Sequence, residues 1–205
     1  MTAIQIGRLL SANTRQFLVG CRVTQSEIPP LGALVRVNPQ PDYAIYGLVY
    51  DLYIADDGLV RQLATVEEMD ESVIADHRLH RSVPLEIHVL AVGYQKDGRI
   101  YHLLPPQPPL GLELMWMCSV DEVVQFTSLG RFGYLRHILR EQDVAVEEVL
   151  AAHLQFADRA HRQRGDANWS SKAVQEMIVL LRDDYGMLMR VLQSVADTQI
   201  IPLTG

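Results

Sequence analysis

Ala33-Leu34-Val35-Arg36-Val37, the turn residues Asn38-Pro39-Gln40-Pro41-Asp42 and the run from Ala44 to Ile54 decide how this chain folds. Two stretches rich in β-branched and aromatic residues flank a segment that favours turns, which predicts an antiparallel strand pair. A parallel arrangement would need a crossover of a dozen residues or more, and the spacing leaves none. Towards the N-terminus, Ile4 to Leu10 and Phe17 to Val23 alternate around Ser11-Ala12-Asn13-Thr14 and predict a second hairpin. Pro29-Pro30-Leu31-Gly32 punctuates the chain between the two pairs. Four short strands packed so closely point to a sandwich or a small barrel.

Towards the C-terminus, Val66, Met69 and Val73 stand at helical spacing among Glu67, Glu68, Asp70 and Glu71, and Thr65 with Glu68 matches a capping box. This predicts a short acidic surface helix between Thr65 and Leu79. Pro84 to Tyr94, the turn Asp97-Gly98 and Arg99 to Leu104 predict a further hairpin. The rigid loop Pro105-Pro106-Gln107-Pro108-Pro109-Leu110-Gly111 then leads into an expected strand from Leu112 to Phe126.

From Ser128 onward the period is helical. A short helix is expected around Phe132 to Arg140. A second, capped by Asp143, carries Val146, Val149, Leu150, His153, Phe156, Ala157 and Ala160 on one face and ends at Arg164-Gly165-Asp166. Ser170 or Ser171 caps a third, whose apolar line runs from Val174 through Met177, Leu181, Tyr185, Leu188 and Val191 to Val195. The fold class expected is therefore α+β: a small antiparallel β-barrel over residues 1–127 followed by an α-helical domain over 128–205. Val179, Leu180, Met187 and Met189 widen the apolar face of the last helix, which points to self-association or a partner.

Composition sets the outer limits. Of 205 residues, 48% are hydrophobic and 21% charged, which excludes a disordered, collagen-like or coiled-coil chain. No signal-like leader and no membrane-length apolar run is present, so a soluble cytoplasmic protein without a membrane partner is expected. Cys21 and Cys118 lie in apolar runs and suggest buried thiols instead of a disulfide framework or thiolate zinc site. The net charge is −7, and residues 1–127 hold 9 Lys or Arg against 15 Asp or Glu. An acidic barrel lacks the counterion-displacing surface that broad nucleic-acid binding needs.

Several chemistries are missing. The two lysines, Lys96 and Lys172, are followed by Asp97 and Ala173, so neither belongs to a phosphate-binding loop, which requires Lys followed by Ser or Thr. There is no dinucleotide fingerprint and no serine nucleophile elbow. Asp76, His77 and His80 have metal-ligand spacing but no matching second pair, so neither metal nor cofactor is expected. No catalytic residue emerges, and the chain is read as a non-enzyme. Two interaction features remain. Pro105, Pro106, Pro108 and Pro109 suit a docking ridge, though the same prolines serve to fix a turn and shield a strand edge. Arg131, Arg136 and Arg140, interleaved with Phe132, Tyr134 and His137, form a basic and aromatic cluster fitted to a nucleic-acid strand or a partner, a pattern that solvated helix faces also show.

Taken together, Ile6-Gly7-Arg8-Leu9, Phe17-Leu18-Val19, Leu31 to Val37 and Ile45 to Leu52 resemble the small barrel shared by HerA-type DNA translocases and ATP synthase catalytic subunits. Glu86 to Tyr94 followed by Leu104 to Gly111 is similar to the later strands and proline-rich loop of HerA-type barrels. The resemblance covers about residues 4–127 and implies a non-catalytic collar that stabilises a hexameric ATPase ring or receives a nuclease. No ATPase core follows here, so the resemblance implies a motor on a separate chain and transfers no catalytic residue. The expected function is a non-enzymatic assembly or adaptor protein, homo-oligomeric or bound to a ring ATPase or nuclease in DNA processing, with any nucleic-acid contact indirect. The alternative is a barrel that binds single-stranded nucleic acid directly. A third class, an enzyme whose site forms only in three dimensions, is not legible from pattern.

Overall fold

The computed structural model describes residues 4–22, 28–54, 84–142 and 144–200. The acidic helix expected between Thr65 and Leu79, with Asp76, His77 and His80, lies outside the described residues, as does the expected cap Asp143. Seven strands are present among the described residues: β1 (Gln5–Ala12), β2 (Gln16–Arg22), β3 (Leu34–Gln40), β4 (Tyr43–Ile54), β5 (Pro84–Lys96), β6 (Arg99–Tyr101) and β7 (Leu114–Met117). They form one antiparallel sheet in the order β2-β1-β7-β3-β4-β5-β6. Pairing of β2 with β5, Phe17 opposite Val89 and Val19 opposite Ile87, closes six of the strands into a barrel. A closed ring leaves no long unpaired edge. β6 extends β5 as a hairpin outside the ring, turning at Asp97 (φ 50°) and Gly98 (φ 75°). Two consecutive positive φ values are what a two-residue hairpin turn demands, and Asp-Gly supplies them at low cost. β3 runs on through Asn38 and Pro39, so the first hairpin turns at Pro41-Asp42.

Period-two alternation sorts the side chains of β3, β4 and β5 between two cores. Val35, Val37, Ile45, Val49, Ile87, Val89 and Ala91 point into the barrel, where they meet Leu9, Phe17, Val19 and Met115. Leu34, Ala44, Tyr46, Leu48, Leu90 and Val92 point outward and are covered by helices. Both faces of these strands are buried, which is why Ala44 to Val49 reads as an unbroken apolar run.

The expected strand from Leu112 to Phe126 is not formed as such. β7 ends at Met117 and α1 occupies Val120–Thr127. Ser119 caps α1 and Glu122 closes a capping box, the Ser119 N–H donating to Glu122 Oε2 at 2.7 Å and the Glu122 N–H to Ser119 Oγ at 3.3 Å. These reciprocal bonds satisfy first-turn amides and outweigh the strand preference of Val120, Val123, Val124 and Phe126. The helix expected at Phe132 to Arg140 is also shorter: a 3-10 turn spans Gly130–Phe132 and α2 covers Leu135–Leu139.

α3 (Val146–Gln163) buries Val146, Val149, Leu150, His153, Ala157 and Ala160. It packs on α1, α2, the barrel strand β4 and the last two helices. α4 (Trp169–Leu180) begins at Asn168, so Ser170 and Ser171 lie inside its first turn instead of capping it. The single helix expected through Val195 is broken at Leu181 to Asp184. α5 (Tyr185–Asp197) starts there, with the Met187 N–H donating to Asp184 Oδ1 at 2.9 Å. Ile178, Val179, Leu180, Tyr185 and Met189 stay exposed on these two helices. Among the described residues, no helix is long and apolar enough to cross a membrane.

Candidate functional site

Among the described residues, the proline-rich loop between β6 and β7 exposes a cluster of apolar side chains on the barrel. It is anchored at both ends. At its start the buried His102 donates from Nε2 to the Phe126 carbonyl at 3.0 Å, while its own carbonyl accepts from the Arg136 guanidinium and from His137 Nε2. At its end the Leu112 N–H donates to the Leu9 carbonyl at 2.9 Å, and Arg8 Nη1 donates to the Leu112 carbonyl at 2.8 Å. Pro105 and Pro109 are buried whereas Pro106 and Pro108 face solvent. Around them Leu103, Leu104, Leu110 and Leu112 are exposed, Leu110 at 72% and Leu112 at 68%. Leu112 also holds a φ of 67°, a conformation that disfavours a side chain unless its surroundings enforce it. Four prolines remove backbone freedom, so this loop presents leucine side chains with little entropy left to lose on contact.

The basic and aromatic cluster does not form a single face. Tyr134 is fully buried and Phe132 nearly so, packed on Trp169 with ring centroids 5.6 Å apart. Neither ring is available to stack on a base, which corrects their reading as contact residues. Arg136 is spent on the His102 carbonyl. Arg131 and Arg140 remain exposed; Arg131, 87% exposed in its side chain, meets Glu176 at 3.3 Å, and a pair so open to water contributes little.

What the sequence did not reveal is a set of buried histidines, His102 and His153 between barrel and helices and His161 among the helices. His153 Nδ1 donates to the Gly32 carbonyl at 2.9 Å, which leaves Nε2 to accept the Tyr134 hydroxyl, also at 2.9 Å. Thr127 gives its hydroxyl proton to the Val123 carbonyl at 2.7 Å, so its oxygen accepts from His161 Nε2 at 2.7 Å. His161 stacks on Trp169 at 4.6 Å. Burial lowers His102, His153 and His161 by stripping water from the imidazolium, and His153 falls to about 4. The signal available was register: His153 and His161 occupy the apolar stripe of α3.

Gly32 belongs to this seam. Its φ is 75°, and a Cβ there would lie 2.3 Å from the His153 backbone nitrogen. Only glycine allows the loop to touch α3 so closely.

Among the described residues no three His, Cys, Asp or Glu come together to hold a metal ion. Cys118 is buried and Cys21 half-buried; burial raises both thiols, Cys21 to about 11, which disfavours the thiolate form. Compared with known proteins, the chain matches no family model and no curated protein.

Proposed function

We propose that this protein is a non-enzymatic cytoplasmic adaptor, a barrel that holds a leucine-bearing proline loop rigid for a protein partner. The observation that carries the reading is the exposure of Leu103, Leu104, Leu110 and Leu112 on a loop tied down at both ends. Exposed apolar clusters rimmed by polar surface mark interaction sites. The resemblance of residues 4–127 to HerA-type barrels supplies the class of partner: a separately encoded ring translocase or nuclease acting in DNA processing, with self-association through the uncovered α4 and α5 side chains.

The test is affinity purification of the tagged protein from its native cell, beside the double variant Leu110→Ser, Leu112→Ser. A ring ATPase or nuclease recovered with the parent protein and lost from the variant is the expected result. The same partner recovered equally with both would remove the loop from the interface. ATP hydrolysis by the pure protein, abolished by changing its own residues, would overturn the non-enzymatic reading.

Direct binding of single-stranded nucleic acid is the second reading, supported by the exposed Arg131 and Arg140. It predicts a salt-dependent gel shift weakened by Arg131→Ala. Burial of Phe132 and Tyr134 removes the two rings that the sequence places beside these arginines.

A further inference from the structure

The corner where α4 gives way to α5 carries an apolar surface that the fold leaves bare. Ile178, Val179 and Leu180 are 41%, 56% and 44% exposed, Tyr185 72% and Met189 47%. Three side chains in a row on a helix point about 100° apart, so no single neighbour covers all of them. The inward faces of both helices are already filled: Trp169, Ala173, Val174 and Met177 of α4 and Val191 and Val195 of α5 lie in the core. Tyr185 and Met189, four apart, stand one above the other on an exposed face of α5. A single turn joins the helices, the Asp184 N–H donating to the Leu181 carbonyl at 2.9 Å, which sets the last turn of α4 beside the first of α5.

Area and charge together choose what covers this corner. At roughly 200 Å² for a large side chain, these exposures leave about 500 Å² of apolar surface open to water. A stable pair of proteins buries about 800 Å² on each partner, and homodimer interfaces are about 65% apolar. The corner matches that apolar share, and the polar groups around it provide a rim. Between Ile178 and Arg190 the chain carries Arg182 and Arg190 against Asp183 and Asp184, a balance of zero within a protein of net charge −7. Net charge of one sign makes two copies repel, and at this corner that repulsion is absent. Around it Glu176 is met by Arg131 and Glu147 by Arg190, while Asp184 caps α5. Arg182 and Asp183, 74% and 90% exposed, meet each other at 3.4 Å as chain neighbours. An anionic lipid surface would call for an excess of basic groups, which this balance does not offer.

We propose that two copies of this chain pair across the α4–α5 corner as a two-fold dimer. The axis sets the same patch on both sides, so Tyr185 and Met189 of each copy cover the apolar corner of the other, and Arg182 of one faces Asp183 of the other twice over. The pairing rests on the self-association named above and makes no use of the proline loop, so either can fail without the other.

Sedimentation equilibrium of the full chain up to about 100 μM reads the pairing directly. The parent protein is expected at twice the 23.1 kDa of one chain. Tyr185→Ser with Met189→Ser, both at exposed side chains, should keep the circular dichroism of the fold and raise the dimer dissociation constant by about tenfold or more. Arg182→Asp should weaken the dimer, and adding Asp183→Arg to that chain should restore it, because each arginine then again faces an aspartate. Leu110→Ser with Leu112→Ser should leave the mass unchanged. A parent protein of single-chain mass, a mass above two copies, or a dimer unmoved by Tyr185→Ser with Met189→Ser would overturn the proposal. So would a single-chain parent that sediments with phosphatidylserine vesicles through Tyr185 and Met189, which would give the corner to a lipid surface.

Discussion

The interior of the barrel and the seam between barrel and helices are both buried, yet they are held by different means. Inside the barrel the buried side chains among the described residues are hydrocarbon or thioether, from Ile6 and Leu9 to Ala91 and Met115. Nothing there has a direction to satisfy; area and close packing carry the stability. Along the seam, equally buried Tyr46, Leu48, Phe126 and Leu154 share their space with His102, Thr127, Tyr134, His153 and His161. Each of those polar groups is bonded to a group on another element. The difference teaches that burial alone builds the barrel, whereas oriented hydrogen bonds fix where the helices sit on it.

That contrast can be broken from either side. The largest effect is expected from Gly32→Ala, whose methyl would meet the backbone of α3 at 2.3 Å while the residue keeps a φ of 75°. Denaturant unfolding should show a loss of more than about 4 kcal/mol, or a barrel with its helices displaced. Leu9→Ala, in the apolar interior, should cost about 2–5 kcal/mol, and the same amount at neutral and at acid pH. Next comes acid itself. His153 has a folded value near 4, set by burial, against about 6.5 when unfolded. The unfolded chain therefore binds the proton first: the stability is complete above about pH 6.5 and falls as the pH drops towards 4, by about 3 kcal/mol from this residue. His102, His137 and His161 are lowered in the same direction by burial and steepen the slope. A flat stability profile between pH 6.5 and 4.5 would mean the seam is wetter than its geometry implies. The smallest effect is Tyr134→Phe, which leaves His153 Nε2 without its donor at a cost of about 1–3 kcal/mol by thermal or urea unfolding.

The barrel was legible because its strands obey a local rule. Alternation and turn residues locate β1 to β6, and Asp97-Gly98 names its own turn. The helical stripe of α3 was equally plain, since seven residues at regular spacing fix one face. The difference at Leu112 to Phe126 has a definite cause: β-branched and aromatic residues favour a strand there, and the capping box of Ser119 with Glu122 three positions on overrides them. Asp184 acts likewise, capping α5 and breaking the apolar line between α4 and α5. Candidate sites were harder because they depend on which side chains are covered. Phe132, Tyr134 and the arginines around them look uniform in sequence, but the positive φ values at Gly130, Arg131 and Phe132 turn the rings inward. The partners of His102, His153 and His161 come from distant parts of the chain, so no spacing rule announces them.

The ring closure of the sheet also sets a schedule. β1 lies between β2 and β7, with Gln5 facing Trp116. On a ribosome adding roughly ten residues per second, the first strand would therefore stay half-paired for on the order of ten seconds before its second neighbour is made. Pairings so distant in the chain are slow to find. Until they form, the nascent sheet carries two open edges next to its most apolar strands, and those seconds are when the chain is most exposed to joining another copy of itself edge to edge.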